Sequence, residues 1–424
     1  MPTFTRRQFL KATAALSLVS LSSCVSSGGR KKSPNELITM GFVGVGTQGR
    51  YLLNGFLHNK ETKVLAVCDV DTTRREASKK TVEDYYSKQE NSTYKGCAAY
   101  PNFEELIARK DIDALCIAAP DHWHGLIAVA ACDAGKDIYC EKPLSLTIYE
   151  ARAMVKAARR NKRVFQTGSM QRSSREFLQA CEAVRNGLIG KIQTVQVGVG
   201  GPSKWCDLPE EAMEPGLDWD RWLGPAPKRP YNSVLSPRGV HKNFPDWRNY
   251  REYSGGGMTD WGAHHFDIAQ WGLGMDESGP VEIFPPVDPK AHSGVRYIYA
   301  NGVEMIHGGP GGVTFKGDQG EVFVTRGQWT TKPEKIKEIA IPENGIHLYK
   351  SSNHLQDFLN CVRSRQRPIC DVEIGCRSVT VCHLGNLAYW NGRKLKWDPA
   401  KERFIGDDEA NTWLNPPKRA PWKV

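Results

Sequence analysis

The chain has 424 residues, of which 40% are hydrophobic and 25% are charged, so it can bury a substantial core and its length favours two domains over one. The formal net charge is +10, but basic residues are interspersed with acidic ones and form no stripe that would neutralise a run of phosphates, which argues against nucleic-acid binding. The 12 cysteines include no Cys-x-x-Cys pair and no Cys/His cluster at zinc-ligand spacing, so we expect buried cysteines and no metal site.

The N-terminal residues predict export. The sequence TRRQFLK at residues 5–11 precedes an apolar run at residues 12–21 that is too short to stay as a membrane anchor. Its paired arginines, followed by Phe-Leu-Lys, are similar to the twin-arginine signal, which is read by an export machinery for folded proteins. The sequence LSSC at residues 21–24 resembles a bacterial lipobox and predicts lipidation of Cys24, followed by a flexible tether. We therefore expect an exported, periplasmic, membrane-tethered lipoprotein.

A strand, a glycine turn and a helix follow in that order. Apolar residues 37–43 predict the strand, and the sequence GVGTQGR at residues 44–50 has the G-x-G-x-x-G spacing that opens a dinucleotide-binding helix. Gly44 permits the tight turn, Gly46 lets the backbone approach a pyrophosphate, and Gly49 lets the helix pack closely on the strand. The free N–H groups of the helix N-terminus would then bind the phosphates.

A second apolar run, at residues 64–68, ends in Asp69, about 20 residues beyond Gly49. A carboxylate at this place accepts hydrogen bonds from the adenosine ribose hydroxyls and repels a 2′-phosphate. We therefore expect NAD as the cofactor. The nearby Arg74 and Arg75 leave NADP as the less favoured alternative.

Two more units complete a parallel sheet. Residues 114–119 predict a strand, residues 124–134 a helix and residues 137–140 another strand. Strands that alternate with helices in this way predict an α/β fold with a doubly wound parallel sheet. Ligands of such sheets bind beyond the carboxyl ends of the strands, where the turns PDHWH at 120–124 and EKP at 141–143 fall.

The Glu141-Lys142-Pro143 turn, with the glycine turn and the Pro-x-x-x-His turn before it, resembles the Gfo/Idh/MocA oxidoreductases, and the resemblance covers nearly the whole chain after residue 36. It implies an N-terminal Rossmann domain, a C-terminal α/β domain with an open mixed or antiparallel sheet, and NAD(P)-dependent oxidation or reduction of sugars or cyclitols. It places Pro120, His124 and Glu141 at the cofactor, and Lys142 near both the nicotinamide of the cofactor and the reacting hydroxyl. An ammonium there would stabilise negative charge on the substrate oxygen.

The sequence GGGMTDWGAHHFD at residues 255–267 opens with glycines and continues as a predicted helix. Asp260, His264 and Asp267 are spaced to lie on one helical face, where a carboxylate one turn from an imidazole can fix its tautomer. The family's Asp-x-x-x-His element falls on Asp260 and His264. We predict that His264 removes the hydroxyl proton, that Asp260 orients the substrate and His264, and that Asp267 binds substrate. A metal held by Asp260, His264 and His265 would need a further ligand that the sequence does not place.

Other positions support this interpretation. Gln171 and Arg172 match a polar segment that lines the family's sugar site. A group of aromatic and basic residues suits either sugar binding or packing, and packing is favoured: Trp219, Trp222, Trp247 and Arg248. Residues 354–363 and 378–390 predict helices that return to the first domain, and residues 398–424 predict an arm on the surface of a homo-oligomer.

The expected domains are an export signal, lipobox and tether at 1–33, an NAD-binding Rossmann domain at 36–165, a substrate-binding domain at 166–345, and C-terminal helices with an arm at 346–424. The leading hypothesis is an exported NAD-dependent oxidoreductase of sugars or glycosides, with a 3-keto sugar as one expected product. Because the periplasm holds no free nicotinamide pool, NAD would be loaded before export and held tightly.

Two alternatives stay open. A redox-neutral glycoside hydrolase or lyase would oxidise a sugar carbon transiently and return the hydride. The NAD-dependent α-N-acetylgalactosaminidases are similar overall, but resemble this chain poorly at residues 141–143. A non-catalytic binding protein that has kept the fold is the third hypothesis, since a fold does not guarantee a function.

Overall fold

The computed structural model describes residues 37–91 and 93–424, so the predicted export signal and Cys24 lie outside the described residues. The first sheet is built from short, apolar strands, as expected for strands buried on both faces. Its strands are β1 Ile38–Val43, β2 Thr62–Cys68, β3 Ala98–Tyr100, β4 Ala114–Ile117, β5 Asp137–Cys140 and β6 Phe165–Thr167. All pair in parallel, in the order β3-β2-β1-β4-β5-β6, which confirms the predicted doubly wound sheet.

Five helices accompany this sheet in the described part of the chain: α1 Thr47–Leu57, α2 Thr72–Glu90, α3 Phe103–Ile107, α4 Asp121–Asp133 and α5 Ile148–Arg160. The strand order reverses between β1 and β4, where the chain leaves β1 for one side of the sheet and later returns on the other. In open α/β sheets the crevice at this switch point binds the ligand. The first sheet therefore directs a ligand to the carboxyl ends of β1 and β4.

The second sheet is mainly antiparallel, as the family resemblance implied. Its strands are β7 Ile192–Gly198, β8 Glu282–Phe284, β9 Arg296–Ile298, β10 Glu304–Gly317, β11 Glu321–Thr325, β12 Gln328–Lys332, β13 Leu395–Asp398 and β14 Arg403–Phe404. They follow the order β12-β11-β10-β9-β8-β13-β14, with β7 paired to β10. Val195 of β7 pairs with both Met305 and Phe315, because β10 folds back around β7 at residues 308–312.

The remaining helices are α6 Arg175–Arg185, α7 Trp219–Leu223, α8 Gly257–Asp260, α9 Gly262–Leu273, α10 His354–Ser364, α11 Val372–Asn391 and α12 Asp408–Thr412, with 3-10 turns at Met170–Ser173, Asp246–Asn249 and Glu334–Glu338. Helix α9 packs on the second sheet, with Phe266 and Trp271 in one core with Val197 and Phe315. Among the described residues, no helix combines the length and apolar character needed to cross a membrane.

Helices α10 and α11 both contact the first sheet, as predicted for the C-terminal segment. The Phe358 ring of α10 lies 6.2 Å from Phe56 and 5.9 Å from Tyr139, measured between centroids. In α11, Val372 and neighbouring apolar residues belong to the core of the first sheet, whereas Leu384 and its neighbours belong to the core of the second. One helix therefore joins the two cores.

The C-terminal arm packs on its own chain. Its Trp422 ring lies 4.8 Å from Trp123, and Lys418 Nζ is 3.1 Å from Oε1 of the buried Glu150. Arg419 also pairs with Asp220, with Nη1 2.6 Å from Oδ1. The arm therefore closes the outer side of α4 and α5.

Candidate active site

A cavity of about 490 Å³ lies at the carboxyl ends of β1 and β4. Its volume falls within the range of about 300–1,000 Å³ that is typical of small-molecule sites. One wall comes from the first sheet, through the glycine turn and the turn that carries Lys142. The other wall comes from the half that carries the second sheet, through Asp260 and His264. Both halves of the chain therefore contribute to one site.

The geometry of the glycine turn fits a dinucleotide. Gly44 has a φ of +82°, and a Cβ there would lie 2.5 Å from the backbone of Ala119. A Cβ on Gly49 would lie 2.0 Å from the carbonyl oxygen of Gly44. In contrast, a Cβ on Gly46 would meet no heavy atom within 4 Å, although Gly46 lines the cavity. Two glycines are therefore required by packing, and Gly46 leaves open the space that a pyrophosphate needs.

Asp69 lies in the same cavity wall, at the end of β2. Its Oδ2 accepts a hydrogen bond of 2.9 Å from the Val45 N–H, and its Oδ1 accepts one of 2.9 Å from the Asp71 N–H. Burial raises the pKa of Asp69. The carboxylate thus holds the glycine turn against β2, and a carboxylate oxygen can accept further hydrogen bonds from a ribose.

Two buried side chains, Glu141 and His124, hold the turn at residues 141–143 in place. Glu141 is buried, which raises its pKa, and its Oε1 accepts a 2.9 Å hydrogen bond from Gln48 Nε2 of the glycine turn. His124 is also buried, with Nδ1 2.9 Å from the Pro143 oxygen and Nε2 2.8 Å from the Ala119 oxygen. Burial lowers the pKa of His124. Both side chains line the cavity, as does Pro120, and both position the turn that carries the lysine.

Lys142 reaches across the cavity to the other half of the chain. Its Nζ lies 2.6 Å from Asp260 Oδ1 and donates a second hydrogen bond of 3.1 Å to the Asp260 carbonyl. Arg248 Nε lies 3.8 Å from the same Oδ1. Burial would raise the pKa of Asp260, but these cations outweigh burial and hold its pKa below the usual value. Asp260 is therefore an ionised group at neutral pH.

His264 is a neutral base in the same cavity. Burial, and then the charges of Lys142 and Arg326, hold the pKa of His264 well below its usual value. Its Nδ1 is buried and has no hydrogen-bond partner among the described residues. A neutral imidazole that lines the cavity can accept a proton from a bound hydroxyl. The predicted convergence of Lys142 and His264 on one cavity is thus observed.

The predicted contact between Asp260 and His264 is absent. Asp260 ends helix α8 and His264 lies in the separate helix α9, with Trp261 between the two helices. The Asp260 carboxylate turns to the Lys142 ammonium because an opposite charge attracts it more strongly than a neutral imidazole. The prediction that Asp260 orients His264 is wrong, while its position in the cavity agrees with contact to a substrate.

The structure does not bring Gln171, Arg172 and Asp267 to the cavity. Asp267 is 0% exposed, and its Oδ2 lies 2.8 Å from Arg172 Nε while its Oδ1 accepts a 2.7 Å bond from Ser378. Arg172 also binds Asp276, with Nη2 2.7 Å from Oδ1. Gln171 is buried without a hydrogen-bond partner for its amide among the described residues. Their predicted contact with substrate is corrected: Arg172 and Asp267 form a structural ion pair that joins the 3-10 turn to α9.

Sequence reasoning missed two groups of cavity residues. The first is Trp261, which directly follows Asp260 within the motif at residues 255–267, and Arg326, which lies in a distant segment without a motif. The second is the loop 236–248, which contributes Ser236, His241, Phe244 and Pro245 to the cavity. The same loop contributes Trp247 and Arg248, for which the sequence had favoured packing over sugar binding. The aromatic stretch around Trp247 was the available signal for this loop. In the described part of the chain, no group of three or more His, Cys, Asp or Glu side chains could hold a metal ion.

Comparison with models of protein families identifies the family of this chain. The sequence model of an oxidoreductase family's NAD-binding Rossmann fold matches residues 38–169, and the model of the C-terminal alpha/beta domain of the same family matches residues 181–424. The chain belongs to the Gfo/Idh/MocA oxidoreductase family. The resemblance found in the sequence is thus confirmed, together with the fold, the enzyme class and NAD as the cofactor.

Curated relatives of this Gfo/Idh/MocA protein include glycosidases. A glycosyl hydrolase family 109 protein from Shewanella amazonensis is 30% identical over 202 residues, which are 44% of this chain and 44% of the relative. An α-N-acetylgalactosaminidase from Shewanella oneidensis is 28% identical over 204 residues, again 44% of each. The match therefore spans less than half the length of these relatives.

Solved structures share the fold at low identity. The WlbA dehydrogenase from Bordetella pertussis, in complex with NADH and UDP-GlcNAcA, has a TM-score of 0.60 at 18% identity and covers 86% of this chain and 99% of its own. Aldose-aldose oxidoreductase from Caulobacter crescentus, complexed with glycerol, has a TM-score of 0.58 at 18% identity, with 85% and 100% covered. At these identities the likeness establishes the architecture.

Two glycine variants should separate cofactor binding from folding. Gly46→Ala adds a methyl group in open space, so we expect the free energy of unfolding to change by less than about 0.5 kcal/mol while NAD affinity falls at least about tenfold. Gly49→Ala drives a methyl group against the Gly44 carbonyl and should cost about 3 kcal/mol or more. Denaturant unfolding of the apoprotein and titration with NAD measure the two effects. Unchanged NAD affinity in Gly46→Ala would contradict this placement of the pyrophosphate.

Proposed function

We propose that this chain is an exported oxidoreductase that transfers hydride between a carbinol carbon of a sugar or glycoside and tightly held NAD. The observation that carries the proposal is the meeting of Lys142 and His264 in the cavity that also contains Gly44, Gly46 and Asp69. The sugar-related names of the curated relatives support the substrate class.

Each group at the site has a distinct part in the proposed reaction. Bound NAD supplies the hydride acceptor. His264, held neutral by burial and by nearby cations, takes the hydroxyl proton. The Lys142 ammonium stabilises the negative charge that develops on the substrate oxygen. Asp260 keeps this ammonium in place, since its Oδ1 is 2.6 Å from Lys142 Nζ, and accepts hydrogen bonds from neighbouring hydroxyls.

The loop 236–248 supports tight retention of the cofactor. Thr47 Oγ1, at the start of α1, donates a 2.7 Å hydrogen bond to the Asn243 carbonyl, and the Arg50 guanidinium donates to the His241 carbonyl. On the other side, Arg74 Nε donates a 3.2 Å bond to the Gly239 carbonyl. The loop thus lies against the glycine turn and against the start of α2, and release of a dinucleotide would require these bonds to break.

The same contacts favour NAD over NADP. Arg74 directs its guanidinium to carbonyls of the loop, including Gly239 and Pro237. Arg75 Nη1 donates a 2.8 Å bond to the Asp69 carbonyl. Both arginines that could neutralise a 2′-phosphate are therefore engaged by backbone oxygens, while the Asp69 carboxylate remains in the cavity wall.

A redox-neutral glycosidase is the second candidate, favoured by the two Shewanella relatives. Such an enzyme would oxidise a sugar carbon, eliminate the aglycone and return the hydride, all within the same cavity. We further propose, from residues 5–11 and 21–24, that the protein is exported folded with NAD bound and is anchored through lipidated Cys24.

Single-turnover reduction of bound NAD tests the proposed function. Mixing the holoprotein with hexoses, methyl glycosides and cyclitols should produce nicotinamide absorbance with at least one sugar. Lys142→Met and His264→Ala should each lower this rate by about 100-fold or more, whereas the exposed His58→Ala should leave it unchanged. Because the pKa of His264 is held well below its usual value, the rate should stay flat from about pH 8 to pH 6 and fall only at lower pH.

Absence of any absorbance change with every sugar would remove the oxidoreductase proposal. Release of p-nitrophenol from aryl glycosides by catalytic amounts of holoprotein, without an added oxidant and without accumulation of NADH, would instead establish the glycosidase. The two candidates therefore give different products in one experiment.

Cofactor retention should depend on the loop contacts. Arg50→Met removes the bond to the His241 carbonyl, so we expect NAD to dissociate about tenfold faster, as the loss of a charged hydrogen bond of about 1.5 kcal/mol predicts. Tyr51→Ala, at an exposed neighbouring position of α1, is the control and should retain NAD. Dissociation is followed by gel filtration and absorbance of the released NAD. Equal dissociation from both variants would show that the loop does not retain the cofactor.

Lipidation should depend on one cysteine. In a Gram-negative host fed a labelled fatty acid, the wild-type protein should carry label and sediment with membranes. Cys24→Ala should be unlabelled and soluble, whereas Cys206→Ala, at a half-buried cysteine of the folded body, should keep the label. Membrane association of unlabelled Cys24→Ala would contradict the lipid anchor.

A further inference from the structure

Three cations approach one carboxylate at the end of the cavity where Lys142 and His264 lie. Lys142 Nζ and Arg248 Nε lie 2.6 Å and 3.8 Å from Asp260 Oδ1. Arg326, on the turn between β11 and β12, lines the same cavity and forms no ion pair with a described residue. The charge of Arg326 also acts on Asp260 and on His264. This end of the cavity therefore carries excess positive charge.

The other acids nearby do not balance this excess. Asp121 accepts a 2.5 Å hydrogen bond from Ser254 Oγ, and burial raises its pKa to about 7. Glu141 is buried beneath the turn and accepts a hydrogen bond from Gln48. The phosphates of the dinucleotide are expected at the glycine turn, at the N-terminus of α1. Arg326 is therefore free to pair with a further anion that enters this end of the cavity.

Arg326 is held at the rim of the cavity by an aromatic contact. Its guanidinium carbon lies 4.6 Å from the ring centroid of Trp261, which directly follows Asp260. The Trp261 ring stacks with His265, with centroids 5.8 Å apart and planes inclined by 13°. Trp261 is nevertheless 45% exposed, and Arg326 is exposed as well. A guanidinium fixed in this way retains free N–H donors that face solvent and the cavity.

We propose that Arg326 binds an anionic substituent of the substrate, so that the preferred sugar or glycoside carries a carboxylate, a sulfate or a phosphate. The planar guanidinium matches all three anions through paired N–H···O bonds. The inference deepens the proposed function and rests on it for the reaction. Trp261 is the positioning residue of this contact. Sugars without an anionic group lose this contact and bind more weakly.

Binding to the holoprotein tests the proposal directly. Calorimetric titration compares methyl glucuronide with methyl glucoside, and methyl galacturonide with methyl galactoside, because the members of each pair differ only at C6. Glucose 6-sulfate and glucose 6-phosphate distinguish the three anions. We expect at least one anionic sugar to bind about tenfold or more tightly than its neutral partner, with the preference falling as salt is added. Arg326→Gln should lower this ratio about tenfold, and Arg326→Lys should lower it less.

A matched arginine serves as the control. Arg367 is also exposed and its side chain contacts only Glu277 as an ion pair among the described residues, so Arg367→Gln should keep the wild-type ratio. Equal binding of every anionic sugar and its neutral partner would overturn the proposal. So would an equal loss for both members of a pair in Arg326→Gln, which would indicate that Arg326 acts only through His264. Single-turnover reduction is measured in parallel: binding preference without reduction contradicts the proposed reaction alone, and reduction without preference contradicts this inference alone.

Discussion

The site depends on the ion pair between Lys142 and Asp260. Lys142 follows β5 of the first sheet, and Asp260 ends α8 in the half that carries the second sheet. At 2.6 Å, with the side chains 18% and 25% exposed, the pair holds the two cavity walls together. Removing one member would leave the other charge partly buried without its partner, which is costly. Because His264 lies four residues after Asp260, the same contact brings the ammonium close to the segment that carries the base.

The same cations have opposite effects on the charge of two neighbouring groups, Asp260 and His264. Lys142 and Arg248 outweigh burial at Asp260, lower its pKa and keep it charged, whereas burial and then Lys142 lower the pKa of His264 and keep it uncharged. A site with an ionised carboxylate, an ammonium and a neutral base can move one proton without first changing its own charges. Burial lowers the pKa of His264, as the cations do, but it raises the pKa of Asp260. Asp260 therefore depends on the cations to stay ionised, whereas burial itself favours the neutral form of His264.

Local patterns in the sequence predicted the parts of the site that depend on local geometry. The glycine turn and the Glu-Lys-Pro turn follow strands whose apolar runs are evident, and parallel strands bring both to one edge. Helical spacing also placed Asp267 on the same helix face as His264, but spacing does not show which residues of other segments contact that face. In the structure Asp267 forms an ion pair with Arg172, because a buried carboxylate requires an opposite charge. Arg326 reaches the cavity because β11 pairs with β12, and no sequence motif near residue 326 indicates this position.

Helix α11 limits how the molecule can move. Its first turns are buried with the first sheet and its later turns with the second, so a hinge between the two sheets would have to bend or expose this helix. Large opening motions between the two sheets are thereby disfavoured. At the cavity, Trp261 is partly exposed, whereas the loop 236–248 is hydrogen-bonded to Thr47 and Arg50 beside the glycine turn. Under the proposed function, this arrangement would favour exchange of substrate past Trp261 while the loop retains the cofactor.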